Sequence, residues 1–121
     1  MATGPTFAST PRHSGALLSN SGTVVTVLTA VPAGTRVDRG VVIASGTTGT
    51  AYLMRMFIDD GSTARPFYEQ PITANTVSAS NAAVRYEFAF TDLILCSGES
   101  AKAVLTSSEN VVFHLFGADL T

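Results

Sequence analysis

From Val24 onward the chain is a succession of short apolar segments separated by turn residues, and no segment carries a good helical pattern. The segments are Val24–Thr29, Arg36–Ala44, Ala51–Asp59, Pro66–Thr73, Arg85–Phe90, Leu93–Cys96, Ala101–Thr106 and Val111–Phe116. Each is rich in β-branched or aromatic residues and is bounded by Gly, Ser, Asn, Asp or Pro, which marks strands between turns. Parallel βαβ units would need helices between the strands, so the pattern predicts an all-β fold. The expected form is a single antiparallel β-sandwich, jelly-roll-like, with about eight strands.

A chain of 121 residues is one domain. Area scaling gives roughly 6,000 Å² of surface when folded against about 18,000 Å² when extended, enough burial for one core without metal or disulfide. Residues 1–22 differ from the rest. They carry Pro5 and Pro11, small polar residues and isolated apolar anchors at Phe7, Leu17 and Leu18. Proline biases the residue before it to extended geometry, so residues 1–22 read as an extended N-terminal arm and 23–121 as the sandwich domain. Phe7 is the expected anchor of that arm on a neighbouring subunit or surface.

The linkers read as hairpin turns. Ser45–Thr50, Asp59–Ser62 with its Asp-Gly pair, Ser97–Glu99 and Ser107–Asn110 are all short. Only Ala74–Val84 reads as long enough to cross between sheets, which suits a Greek-key or jelly-roll topology.

The period of two assigns faces. Tyr86, Phe88 and Phe90 share one face, expected in the core, while Arg85, Glu87 and Ala89 share the wet one. Tyr52–Ile58 is apolar on both faces apart from Arg55, and Val111–Phe116 is apolar on both faces apart from His114. A sandwich strand needs only one apolar face. These two are therefore expected to be central strands whose outer faces, Leu53, Arg55 and Phe57 on one and Val112, His114 and Phe116 on the other, meet another subunit.

Composition points the same way. Only 13% of residues are charged and 45% are hydrophobic, against about 25% charged in an ordinary domain. A small monomer has proportionally more surface and should be more polar, so part of this surface is expected to be buried against copies of itself or another protein. The seven basic residues are scattered and form no stripe along which a phosphate backbone could run, so no nucleic-acid partner is expected. No apolar run approaches the roughly 20 residues of a membrane helix, and no signal-peptide pattern opens the sequence, so no membrane partner is expected either.

Chemistry is hard to find. The two histidines are His13, in the proline-bearing segment, and His114, in an apolar strand, and nothing in the sequence sets either beside a particular carboxylate. The single cysteine, Cys96, excludes an internal disulfide and reads as a small buried hydrophobe. Asp59-Asp60-Gly61 resembles half a calcium loop, but turn chemistry explains it. No catalytic, metal or cofactor site is assigned. Tryptophan is absent, which weakens a sugar-binding reading; Tyr52 and Tyr68 would be its exposed stacking residues.

The opening Met-Ala-Thr-Gly-Pro-Thr-Phe-Ala-Ser-Thr-Pro-Arg, the segment Met54–Gly61 and the stretches Leu93–Gly98, Ala101–Thr106 and Asn110–Phe113 are similar to small virion structural proteins of tailed bacteriophages, of the capsid decoration or cement type. The resemblance implies a β-sandwich or jelly-roll homotrimer on the capsid surface, with the major capsid protein as partner. It further implies no cofactor, no enzymatic activity and synthesis in the host cytoplasm. The alternatives are a neck, tail or fibre component, or a carbohydrate-binding host-attachment module.

Overall fold

A computed structural model of the chain describes residues 8–19, 22–44, 47 and 50–120. Phe7 lies outside them. The described residues contain no helix and form eight strands: β1 (Ala8–Leu18), β2 (Val25–Thr29), β3 (Thr35–Ala44), β4 (Tyr52–Asp59), β5 (Ala64–Ile72), β6 (Val84–Leu95), β7 (Ser100–Leu105) and β8 (Val111–Leu120). They pair antiparallel into two four-stranded sheets, ordered β1-β8-β3-β6 and β2-β7-β4-β5. One core joins both sheets. Phe113, Leu115, Val37 and Val42 come from the first; Met54, Met56, Ala103 and Leu105 come from the second. Removing a valine, leucine, methionine or phenylalanine side chain from water contributes about 1.5–3 kcal/mol.

The strand count matches the expectation, but two strands are not where the sequence places them. Ala8–Leu18, read as part of an extended arm docking on a neighbour, is β1 and pairs with β8 of its own chain from Ala8↔Leu120 to Leu18↔Val111. Pro11 is tolerated because β1 is an edge strand, with a ladder on one side only. Arg85–Phe90 and Leu93–Cys96, read as two strands, are the single strand β6. Asp92 adopts φ 57 within it, and the register with β3 jumps from Arg39↔Ala89 to Val37↔Leu93.

That bulge reverses which side chains face inward, because the strand period is two. Tyr86, Phe88 and Phe90 pack on the core before it, as expected, and Leu93 and Leu95 do so after it. Cys96 is therefore exposed rather than buried, and Ile94 is exposed as well. The same irregularity acts on β3, where Val37 points inward on one side of Asp38 and Gly40, Val42 and Ala44 are the buried alternates on the other.

The connections also differ from expectation. Only β4–β5, through Asp60-Gly61, is a hairpin within one sheet; Gly61 has φ 101, and Asp60 Oδ1 accepts hydrogen bonds from the Ser62 and Thr63 amides. Every other connection, including Ser97–Glu99 and Ser107–Asn110, passes from one sheet to the other. Packed sheets lie about 10 Å apart, a gap that a turn of three or four residues spans at a corner of the sandwich. At the side bounded by the edge strands β5 and β6, a cluster of Phe67, Tyr68, Phe88 and Phe90 closes the gap. Its ring centroids lie 4.5 Å apart for Tyr68–Phe88 and 5.7 Å for Phe67–Phe90.

Candidate functional site

The residues singled out in the two apolar strands lie on outer faces, as the period of two requires. β4 and β8 are inner strands of their sheets. On β4, Met54 and Met56 are fully buried while Leu53 and Phe57 are half-buried and Arg55 is exposed on the opposite side. On β8, Val111, Phe113 and Leu115 are fully buried while Val112, His114 and Phe116 are half-buried. The six do not form one patch. Leu53, Arg55 and Phe57 belong to the outer face of the second sheet, and Val112, His114 and Phe116 to the outer face of the first.

Registers extend each face across its sheet. On the first sheet Leu17, Val112, Ile43 and Arg85 form one row; Gly15, His114, Val41 and Glu87 the next; and His13, Phe116, Arg39 and Ala89 the third. Leu17 is 57% exposed, so this face ends in an apolar edge. Its charges pair among themselves. Arg39 donates to Glu87 at 2.7 Å and Arg85 donates to the other oxygen of Glu87 at 3.2 Å. The Arg85 hydrogen bond, aided by Arg39, holds the Glu87 carboxyl below its usual range against the opposing effect of desolvation.

On the second sheet Arg55 and Glu69 stand directly opposite each other and bond at 2.6 Å. Lys102 pairs with Asp59, and its hydrogen bond lowers the carboxyl's proton affinity. Solvent screens the exposed Arg39–Glu87, Arg85–Glu87 and Arg55–Glu69 pairs, so they neutralise these faces more than they stabilise the fold.

The structure brings together two residues that sequence reasoning kept apart. His13 Nε2 and His114 Nδ1 are 2.8 Å apart, bridging β1 and β8. His13 also stacks on Phe116, with centroids 4.6 Å apart, and the Arg39 guanidinium lies 4.7 Å from the centre of the same ring. Gly15 makes room: a Cβ there would meet His114 Nδ1 at 2.8 Å. Burial, and then the charge of His13, pushes the His114 imidazole below its ordinary 6.5. The pairing depends on β1 lying beside β8, and only a reading of residues 8–18 as a strand would have revealed it.

No family model, curated protein or solved structure matches this chain. Among the described residues there is no concave pocket and no group of three or more metal-ligating side chains. Tyr52, one of the two tyrosines considered for sugar stacking, is buried in the core, and Tyr68 turns into the aromatic cluster. The Asp59-Asp60-Gly61 carboxylates are engaged by turn amides, Arg65 and Lys102.

Proposed function

We propose that this chain is a non-enzymatic structural subunit of a tailed-phage virion, a decoration protein that stabilises the capsid as a homo-oligomer. The observation that carries the reading is the outer surface of the sandwich. An inner strand of each sheet turns apolar side chains away from the core: Leu53 and Phe57 on β4, Val112 and Phe116 on β8. Two opposed apolar faces with internally paired charges suit a subunit that meets copies of itself on one side and a shell on the other.

The strand order supports the jelly-roll form of the sandwich. Along the chain the strands switch sheet at every connection except the β4–β5 hairpin, as when one long antiparallel ribbon, bent at that hairpin, is rolled into two sheets. A homotrimer on the capsid surface, contacting the major capsid protein, is the assembly this reading favours. Docking through an arm is kept only for the segment ahead of Ala8, which carries Phe7 and lies outside the described residues.

Counting copies of the chain in purified particles by quantitative mass spectrometry tests the proposal. Hundreds of copies per particle are expected. A dozen or fewer would move the protein to the neck, tail or fibre, and none would overturn a virion role.

A further inference from the structure

We infer that the His13–His114 pair is a proton-gated clasp on the edge strand β1, closed while its two imidazoles share at most one extra proton and opened when both are charged. The inference goes beyond the proposed function and does not depend on it. β1 has one neighbour in its sheet, so each side-chain link across the β1–β8 ladder matters to its retention.

The logic lies in which nitrogens can accept. A neutral imidazole has one N–H and one bare nitrogen; an imidazolium has two N–H groups and no acceptor. When the pair is neutral, one of the two facing nitrogens donates to the other across 2.8 Å. With one extra proton the facing nitrogens still hold a single proton between them, and the bond gains charge assistance. With two extra protons both facing nitrogens are N–H groups. The hydrogen bond is lost and two positive charges stand 2.8 Å apart.

The surroundings do not relieve that repulsion. From β3, Arg39 lies over Phe116, the ring on which His13 stacks, and adds a third positive charge. From β6, Glu87 is bonded to Arg39 and to Arg85. On β1, Arg12 is bonded to Asp119 of β8 and to the Thr29 carbonyl at the end of β2. Arg36 and Asp38 of β3 pair with each other. Gly15 places the His114 ring directly over the β1 backbone, so the imidazoles cannot separate without displacing the strand or rotating a ring away.

Opening is expected to be partial. Leu18 is anchored in the core, and Ser14 Oγ donates to the Val27 carbonyl. The strand should loosen over its first half, around Thr10–His13, before it loosens near Leu18.

Hydrogen exchange on the whole chain, corrected for the intrinsic pH dependence of exchange, tests the clasp. As pH falls from about 6.5, the ordinary histidine value, to about 4.5, where the second charge is forced onto the pair, the β1 amides of the wild type should lose at least about tenfold in protection. The β7 amides should change far less. His13→Gln keeps an amide donor for Nδ1 but cannot take up charge, so its β1 protection should stay nearly constant over the same range. Equal loss in β1 and β7, or equal loss in the wild type and His13→Gln, would overturn the inference. A nitrogen-15 NMR titration of His114 gives an independent reading: its midpoint should rise toward the ordinary value in His13→Gln, and an unchanged midpoint would contradict the clasp.

Discussion

Gly40 stands opposite Phe88 in the β3–β6 ladder, and the phenyl ring occupies the space a side chain at position 40 would need. A Cβ there would lie 2.4 Å from Cε2 and 2.8 Å from Cζ of Phe88. The same ring packs at 4.5 Å from Tyr68 on the other sheet and 6.0 Å from the buried Phe113. Glycine on one strand thus lets an aromatic residue on the next tie the open side of the sandwich to its centre. Gly40→Ala should cost about 1–3 kcal/mol by overpacking. The loss should appear as a lower urea midpoint, accompanied by disturbed Tyr68 and Phe90 signals.

Gly117 is under a harder constraint. A Cβ there would sit 1.8 Å from the Arg36 carbonyl oxygen, a backbone atom that cannot swing aside as a ring can. Gly117→Ala should therefore cost more than Gly40→Ala, on the order of 4 kcal/mol. A ranking in the opposite order in equilibrium unfolding would count against the β3–β8 register.

Tyr52 offers the opposite sign. Its hydroxyl is buried with no hydrogen-bond partner among the described residues, and burial, followed by the charge of Glu109, pushes its pKa up to about 12. Tyr52→Phe removes an unsatisfied polar atom while keeping the ring. It should leave stability unchanged or raise it by about 1 kcal/mol, read from the denaturation midpoint.

The inward face of β6 before its bulge, the Asp60-Gly61 hairpin and the outer positions of β4 and β8 were all legible in the sequence, because each rests on local turn chemistry or on the period of two. What escaped depends on contacts between distant segments. Pro11 and a run of small polar residues hide β1, whose strand character comes from the β8 ladder more than from its own propensities. Thr91-Asp92 looks like a turn between two strands, yet the chain continues through it because Leu93 and Leu95 re-enter the core after the bulge. The misplacement of Cys96 follows from that one-residue change of phase. The histidine pair spans 101 positions of sequence, and no local pattern announces it.

Acid should act in two stages, and the signs follow from two lowered proton affinities. His114 binds its proton less readily in the folded chain than at its ordinary 6.5. Its contribution is therefore full above that pH and is lost as pH falls from there toward the folded value. For Asp119, burial raises the proton affinity, but hydrogen bonds from Arg12 and Thr35 and the Arg12 charge outweigh it. The carboxyl stays below its ordinary 3.8. Its contribution is present above that value and is lost as pH falls through the folded one. Asp119→Asn should shrink the second stage, which the likewise lowered carboxyls of Asp59, Asp60 and Glu87 share, and leave the first in place, which denaturant midpoints measured as a function of pH would show.

The outer faces can be probed one at a time. Phe57→Glu and Val112→Glu each set a charge on an apolar outer position without touching the core. Each should preserve the β-type circular dichroism of the wild type while weakening whichever association its face supports. A loss of folding in both would mean that these positions serve the sandwich itself.

Self-association is tested most directly by multi-angle light scattering of the purified wild-type chain at micromolar concentration. A mass of three times 12.6 kDa is expected, falling toward a single subunit in at least one of the two glutamate variants. A wild-type chain that stays at 12.6 kDa would contradict assembly through these faces.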